Sequence, residues 1–364
     1  MKLLAAGSNS HHQLNDSTTD VRSFERPALE SEPGLENIDI GLLYASWSTT
    51  TLVSQTTKLI NLGHRPWSTP HPPTEKVHSP FGDHNGLIGC LDTEGRIWFL
   101  HTNPRNASAR QSPLTLLNDD DAPKLGFFAL ADNGKVALSF KQAPNGQLAH
   151  IVEFATLEAF KQWYLDPSDS VKAPAAHHML PGQPVQLIAN AATFLLLMAG
   201  GEVYSWGDPR YRTLGRSIVG EAVPADKPGV INALGGMKVD KIACCGWLSA
   251  ALCDQALYIW GSTLPSKDNE IKALTELGPD ELELVDVPSD GVESVDFIDV
   301  SVGDNHVAAV SANGRLFLIG DNTYGQLGIG EQVFSDDWVE VLSVESALRV
   351  QCGPQSTFVW VNAD

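Results

Sequence analysis

The sequence predicts an all-β fold: a seven-bladed β-propeller closed by pairing its N-terminal and C-terminal strands in one blade. Three observations predict it. The first is a unit at residues 300–330. It has a short apolar run at 307–310, a hairpin signal at Asn313-Gly314, a second strand at 315–319 and a glycine-bounded loop from Gly320 to Gly328. Asparagine and glycine tolerate the positive φ that a two-residue hairpin demands. A lone hairpin is marginal in water, so the unit must stack on copies of itself. The second observation is that it recurs. Anchors at Ser46, Gly82, Gly126, Asn190, Gly246, Gly303 and Gly353 stand 36 to 64 residues apart, a period that suits propeller blades. The third is a half-unit at the wrong end. Gly7-Ser8-Asn9 precedes Gln13-Leu14 as Gly320-Asp321-Asn322 precedes Gln326-Leu327, with Gly seven residues before Leu in both. The last anchor, Gly353, lacks this outer half, so residues 1–14 are expected to complete the last blade. That makes residues 1–364 one propeller domain, and such closure removes two exposed sheet edges.

In chain order, residues 3–6 supply the closing strand. Residues 1–6 hold too short an apolar run for a signal peptide, and no segment approaches a membrane span. Residues 21–35, polar and proline-bearing, read as a loop into the first full blade. The first anchor, 45–49, is a degenerate copy. Residues 71–73 (His-Pro-Pro) are an insertion. Gly82-Asp83-His84 opens the second blade, and Asn118 with Asp119–Asp121 forms an acidic loop, read as solvated with a bound cation as the alternative. Gly126-Phe127-Phe128 opens the third, with Asp132-Asn133-Gly134 as its hairpin. Residues 156–165 read as a short helix with Thr156 as N-cap and Leu157, Phe160 and Tyr164 on one face. The run 194–199 belongs to an inner strand of the fourth blade. Gly246 opens the fifth, and residues 270–277, ended by Gly278, read as a second rim helix.

Composition restricts the partners. Acidic residues outnumber basic ones 44 to 24, for a formal charge of −20. Phosphate recognition relies on clustered Lys and Arg, so nucleic acid and anionic membrane are disfavoured as direct partners. The five cysteines show no C-x-x-C spacing. Cys244 and Cys352 sit alike before an anchor, and Cys90 and Cys253 fall within strands. Strand alternation sends adjacent Cys244 and Cys245 to opposite faces. Unpaired thiols fit a reducing compartment, the cytoplasm with the nucleus as a second location.

No nucleophile-elbow, zincin, dinucleotide or phosphate-loop motif occurs. His306 invites a catalytic reading. Its counterparts are Thr49, Thr193, Ser249 and Ser356, however, and a position shared by His, Ser and Thr calls for a hydrogen bond rather than a proton shuttle. The expectation is a protein that is not an enzyme.

The pattern G-D-N-H-x-x-A-V, N-G-x-L, G-D-N-x-Y-G-Q-L-G in residues 303–328 resembles the repeat of the regulator-of-chromosome-condensation propeller family, and the resemblance extends over essentially the whole chain. It is strong at 301–330, good at 188–215 and 242–261, and weak before 140. No Trp-Asp dipeptide supports a WD propeller, and the Gly-Gly doublets lack a kelch register. The resemblance implies that residues just after each anchor gather on one face. Here these include Trp47, Asp83, Phe127, Trp247 and Asp304, with Asn305 beside the last, and they are the expected protein-binding residues. Trp and Phe at loop tips are of the type that dominates hot spots; the alternative is that they fold inward to plug the ring. The founding member uses acidic and histidine residues in these loops to promote nucleotide exchange on a Ran-type small GTPase. Asp304 and Asp83 match that pattern, while Trp47, Phe127 and Trp247 depart from it. The compact acidic chain is also similar to the fungal alpha-tubulin-suppressor, killer-toxin-insensitivity propellers. That similarity implies a non-enzymatic scaffold in a heterodimer with a small CSL-type zinc/iron protein, supporting diphthamide synthesis and Elongator-dependent wobble-uridine modification of tRNA. It implies no cofactor or metal of its own and no direct contact with tRNA. An adaptor of a ubiquitin ligase is a third reading.

Overall fold

The computed structural model describes residues 1–28, 40–54, 59–64, 77–100, 114–116, 123–141, 147–220, 223–263, 269–287 and 294–362. The insertion at 71–73 and the acidic loop at 118–121 lie outside these residues. Seven antiparallel sheets follow one another along the chain. Blade 1 has the strands Ile40–Ala45, Thr49–Ser54 and Leu59–Gly63. Blade 2 opens with Val77–Asp83 and Gly86–Asp92, and blade 3 with Leu125–Leu130 and Val136–Phe140, followed by Leu148–Phe154 and Ala176–Pro181. The innermost strands of blades 4, 5 and 6 are Pro184–Ala189, Val239–Cys245 and Phe297–Val302.

Blade 7 joins the two ends of the chain. Its order is Val21–Glu25, Lys2–Gly7, Ser356–Val361, Ala347–Gly353. The pairing of Lys2–Gly7 with Ser356–Val361 runs unbroken from Lys2 opposite Val361 to Gly7 opposite Ser356. The N-terminus therefore contributes two strands rather than one strand and a loop. Residues 21–25, read from sequence as part of a loop, form the outer edge of this blade. Val21 is buried, and Phe24 packs against Gly328 of blade 6, so tertiary contact overrides a weak local pattern.

The apolar core is divided among the seams between blades. One cluster, including Leu248, Ile259, Val300, Val307 and Phe317, fills the space between blades 5 and 6. Others lie between blades 2 and 3, 3 and 4, 4 and 5, 6 and 7, and 7 and 1. Among the described residues the seam between blades 1 and 2 is the smallest, with Leu87 and Cys90 as its buried members. Each buried leucine or phenylalanine contributes roughly 1.5–3 kcal/mol, so the seams hold the ring together. Polar staples add register. Gln186 of blade 4 clasps both backbone groups of Ile242 in blade 5, at 2.7 and 3.0 Å. Asp299 of blade 6 takes Lys241 of blade 5 at 2.5 Å and the Val350 N–H of blade 7 at 2.8 Å.

The repeated Gly-x-Asn and Gln-Leu have a common structural cause. Asn9 and Asn322 each accept the N–H of the leucine five residues on, Leu14 and Leu327, both at 2.8 Å. The two leucines are buried. The leading glycines Gly7 and Gly320 adopt φ of 130° and 107°, and a Cβ on Gly320 would stand 2.2 Å from the Asn305 carbonyl. No side chain fits there. The helix Leu157–Leu165 forms as expected, with Thr156 capping the Ala159 N–H at 3.1 Å and Phe160, Trp163 and Tyr164 buried. The second helix shrinks to Lys272–Thr275.

Candidate protein-recognition site at the channel mouth

In each blade the turn between the first and second strands lies on one face of the ring. Backbone bonds link neighbouring turns. Asp132 and Asn133 donate to Asn190 and Ala191, Ala191 donates to Gly246, Asp304 to Pro354, and Trp47 to His84. Gly246, with φ of 55°, lies so close to blade 6 that a Cβ would stand 2.4 Å from the Asp304 carbonyl. These turns encircle a central cavity of about 450 Å³ whose wall comes from the innermost strands.

Its charge is one-sided. Asp83 of blade 2, Asp132 of blade 3 and Asp304 of blade 6 all line it, together with Trp47, His84 and Cys245. Among the described residues no lysine or arginine does. The Trp47 indole N–H donates to Asp304 Oδ2 at 3.2 Å, and the Cys245 thiol donates to Oδ1 at 3.4 Å. The Trp47 ring, 43% exposed, lies over His84 with centroids 4.8 Å apart. Burial pushes the Asp304 carboxyl above its usual range, partly offset by its Trp47 and Cys245 donors and by His84. Asp132 is also pushed up, first by loss of solvent in the channel and then by the negative charge of Asp304, with Asp83 adding less. Tyr44, whose hydroxyl donates to the Asp83 carbonyl at 3.1 Å, is raised by burial and by the same group of acids. Carboxylates thus crowd one opening that, among the described residues, has no lysine or arginine to pair with them and only the His84 imidazole as a base to offset them.

The other expected residues fall elsewhere. Trp247 is on the same face but outside the channel. It is half-buried, edge-on to Tyr211 at 4.7 Å with the Arg210 guanidinium 5.4 Å from its ring, so it neither plugs the ring nor stands free. Asn305 is not on the channel wall; its carbonyl receives the Asp321 N–H at 2.9 Å and ties the turn to the third strand.

Phe127 is a correction. It lies inside the innermost strand of blade 3, not at a turn, and packs into the seam with blade 4. Gly126 marks a bulge, where a Cβ would meet Ser139 Oγ at 2.9 Å. The turn equivalent to 303–305 is Ala131-Asp132-Asn133, which aligns with blade 4 by backbone bonds. Moving the anchor from 126 to 131 evens the flanking spacings from 44 and 64 to 49 and 59. Asp132 was therefore missed, although the Asp-Asn pair copied from Asp304-Asn305 was present in the sequence. His84 was missed because it follows the position after the anchor.

His306 is fully buried, with Nε2 3.0 Å from Thr357 Oγ1 of blade 7, and burial depresses it to about 4. It is a neutral inter-blade bond. The adjacent thiols do diverge: Cys244 packs toward blade 4 and Cys245 toward blade 6. Burial raises both, which makes them poor nucleophiles. Among the described residues no cluster of three or more metal-binding side chains occurs.

Fold and site together define a seven-bladed propeller with an acidic channel mouth on the face that carries the first turns. Residues 200–252 and 297–326 match the Regulator of chromosome condensation (RCC1) repeat, so blades 4 to 6 of the propeller carry segments similar to that repeat. Mouse RCC1 domain-containing protein 1 is 31% identical over 210 residues, 48% of this chain and 55% of that protein. Mouse E3 ubiquitin-protein ligase HERC2 is 33% identical over 171 residues, 44% of this chain and 3% of that protein. The chain thus spans about half, or far less, of the length of these relatives. Crystal structures of human WBSCR16 and of Prp20p from Saccharomyces cerevisiae, the latter described with its binding to Gsp1p and histones, each superpose with a TM-score of 0.66 at 14% identity. They cover 100% of this chain and 100% and 92% of theirs, and share the fold.

Proposed function

We propose that this chain is a non-enzymatic regulatory scaffold whose channel mouth docks a protein presenting basic side chains. One observation carries the reading. Carboxylates from blades 2, 3 and 6 converge on a cavity that, among the described residues, has no lysine or arginine and only the His84 imidazole as a base, beside the Trp47 indole. Such an arrangement is unfavourable alone and is relieved by a cation from outside. The resemblance in the sequence suggests which partner: a small CSL-type zinc/iron protein, held as a heterodimer in the cytoplasm and nucleus in support of diphthamide synthesis and Elongator-dependent tRNA modification. The metal and its electron transfer belong to that partner. Calorimetric titration with the CSL-type protein tests this. Binding that weakens in the Asp132→Ala, Asp304→Ala double variant supports both the partner and the face. No binding by folded wild-type protein removes this partner.

A second reading, exchange factor for a Ran-type small GTPase, is favoured by Asp132. With an aspartate in place of Phe127 and His84 alongside, the acid and histidine set at the mouth is fuller than the sequence suggested. A relative over 40% of this chain, 29% identical, is mouse RCC1-like G exchanging factor-like protein, of which 31% is covered. Acceleration of GDP release that vanishes in Asp304→Ala would favour this reading over the scaffold.

A further inference from the structure

On the outer edge of blade 3, far along the sheet from the channel, two imidazoles meet across adjacent strands. His150 lies on Leu148–Phe154 and His177 on Ala176–Pro181, in diagonal register, since His150 faces Met179 and His177 faces Val152. Alternation puts both on the side of the sheet that faces blade 2. Nε2 of His150 is 3.0 Å from Nδ1 of His177, and the rings are 5.3 Å apart and inclined by only 24°. His177 is exposed, so the pair is open to solvent on that side. Phe140, 5.2 Å from the His150 ring, and Trp163 behind it wall the other side.

We infer that His150 Nε2 and His177 Nδ1 form a two-histidine site for a divalent late transition-metal ion, Cu²⁺ or Ni²⁺. With metal–imidazole bonds of about 2.1 Å, two nitrogens at right angles around an ion stand about 3.0 Å apart, and at a tetrahedral angle about 3.4 Å apart. The observed spacing is that of neighbouring positions in a tetragonal site, the geometry these two ions prefer. Rotation about the ring torsions then turns both lone pairs outward to one point, and water fills the remaining positions. The proton between the nitrogens moves to the far nitrogen of its own ring, leaving His150 protonated at Nδ1 and His177 at Nε2, with no net proton change. The third nearby histidine does not compete. His178 points to the opposite side, where its Nε2 is 2.5 Å from Glu153 Oε1.

Electron paramagnetic resonance of the full chain with one equivalent of Cu²⁺ at pH 7.5, together with a chelator-competed Cu²⁺ titration, tests the site. The expected result is a tetragonal signal with two nitrogen ligands. It should be lost in His150→Gln and in His177→Gln, each with a clear fall in affinity because one of the two nitrogen ligands is removed, and kept in the His11→Gln, His12→Gln control. His177 is exposed, so its variant is expected to fold, and circular dichroism checks this. An unchanged titration in folded His177→Gln, a one-nitrogen signal, or loss only in the control would overturn the inference and leave a plain imidazole hydrogen bond.

Discussion

Asp132 and Asp304 hold their negative charge in a place that disfavours it. A carboxyl whose pKa is raised by folding binds protons more readily in the native state, so its ionisation costs stability as pH rises above the ordinary carboxylate range. Asp132→Asn is therefore expected to stabilise the protein at pH 7.5, with the gain fading as pH falls toward 4. The gain is small, on the order of 1 °C in Tm, because Asp132, though set in the channel mouth, keeps much of its side chain in solvent, which screens its charge. Scanning calorimetry at several pH values checks it; a lowered Tm would show that Asp132 serves the fold. His306 works in the opposite sense. Its native pKa, about 4, lies below the ordinary value of 6.5, so the unfolded chain binds the extra proton and stability falls as pH drops through that window. Denaturant unfolding should lose about 2 kcal/mol between pH 7 and pH 5 from this residue. His306→Thr, which copies blade 4, should flatten that slope. An identical slope in the variant would contradict the buried neutral ring.

At the scale of the element, the closing blade is the joint on which the ring depends. Lys2–Gly7 covers one edge of Ser356–Val361, whose Phe358 and Trp360 are buried with Ala5 and Leu14 in the seam to blade 1. Deleting residues 1–14 should give insoluble or molten protein, and an unchanged Tm in the truncated chain would contradict closure. This pairing was legible because the half-unit at Gly7 copies the one at Gly320. The strand Val21–Glu25 was not legible, because beyond its ladder partner Lys2–Gly7 it is held by blade 6, some 300 residues away: Arg22 donates to the Thr323 carbonyl at 3.2 Å. At Gly126 the glycine rule misled. A bulge and a turn both call for glycine, and the turn of blade 3 uses Ala131 instead. That single slip exchanged Asp132 for Phe127 and hid one of the three carboxylates at the mouth.

Over the whole molecule, stability is shared unequally among the seams. Among the described residues the contact between blades 1 and 2 buries the fewest large apolar side chains, whereas blades 5 and 6 share the largest cluster. Local opening follows the least buried contacts, so amide exchange should be faster in Thr49–Ser54 and Gly86–Asp92 than in Leu248–Cys253 and His306–Ser311. Equal protection across the four strands would mean that the seams open together. Docking at the mouth, where Trp47 and His84 bridge blades 1 and 2, would close the weakest of these seams.

The claim that the channel mouth is the recognition face is tested most directly by quantitative affinity purification with three tagged proteins: wild type, the Asp132→Ala, Asp304→Ala double variant, and Lys238→Ala, whose exposed side chain lies before the first strand of blade 5, at the opposite end from the turns. All three are checked for equal Tm. The account predicts one dominant partner, reduced at least about tenfold by the channel variant, in keeping with the loss of a docked charge pair, and unaffected by Lys238→Ala. Equal recovery of that partner by wild type and the channel variant would contradict it.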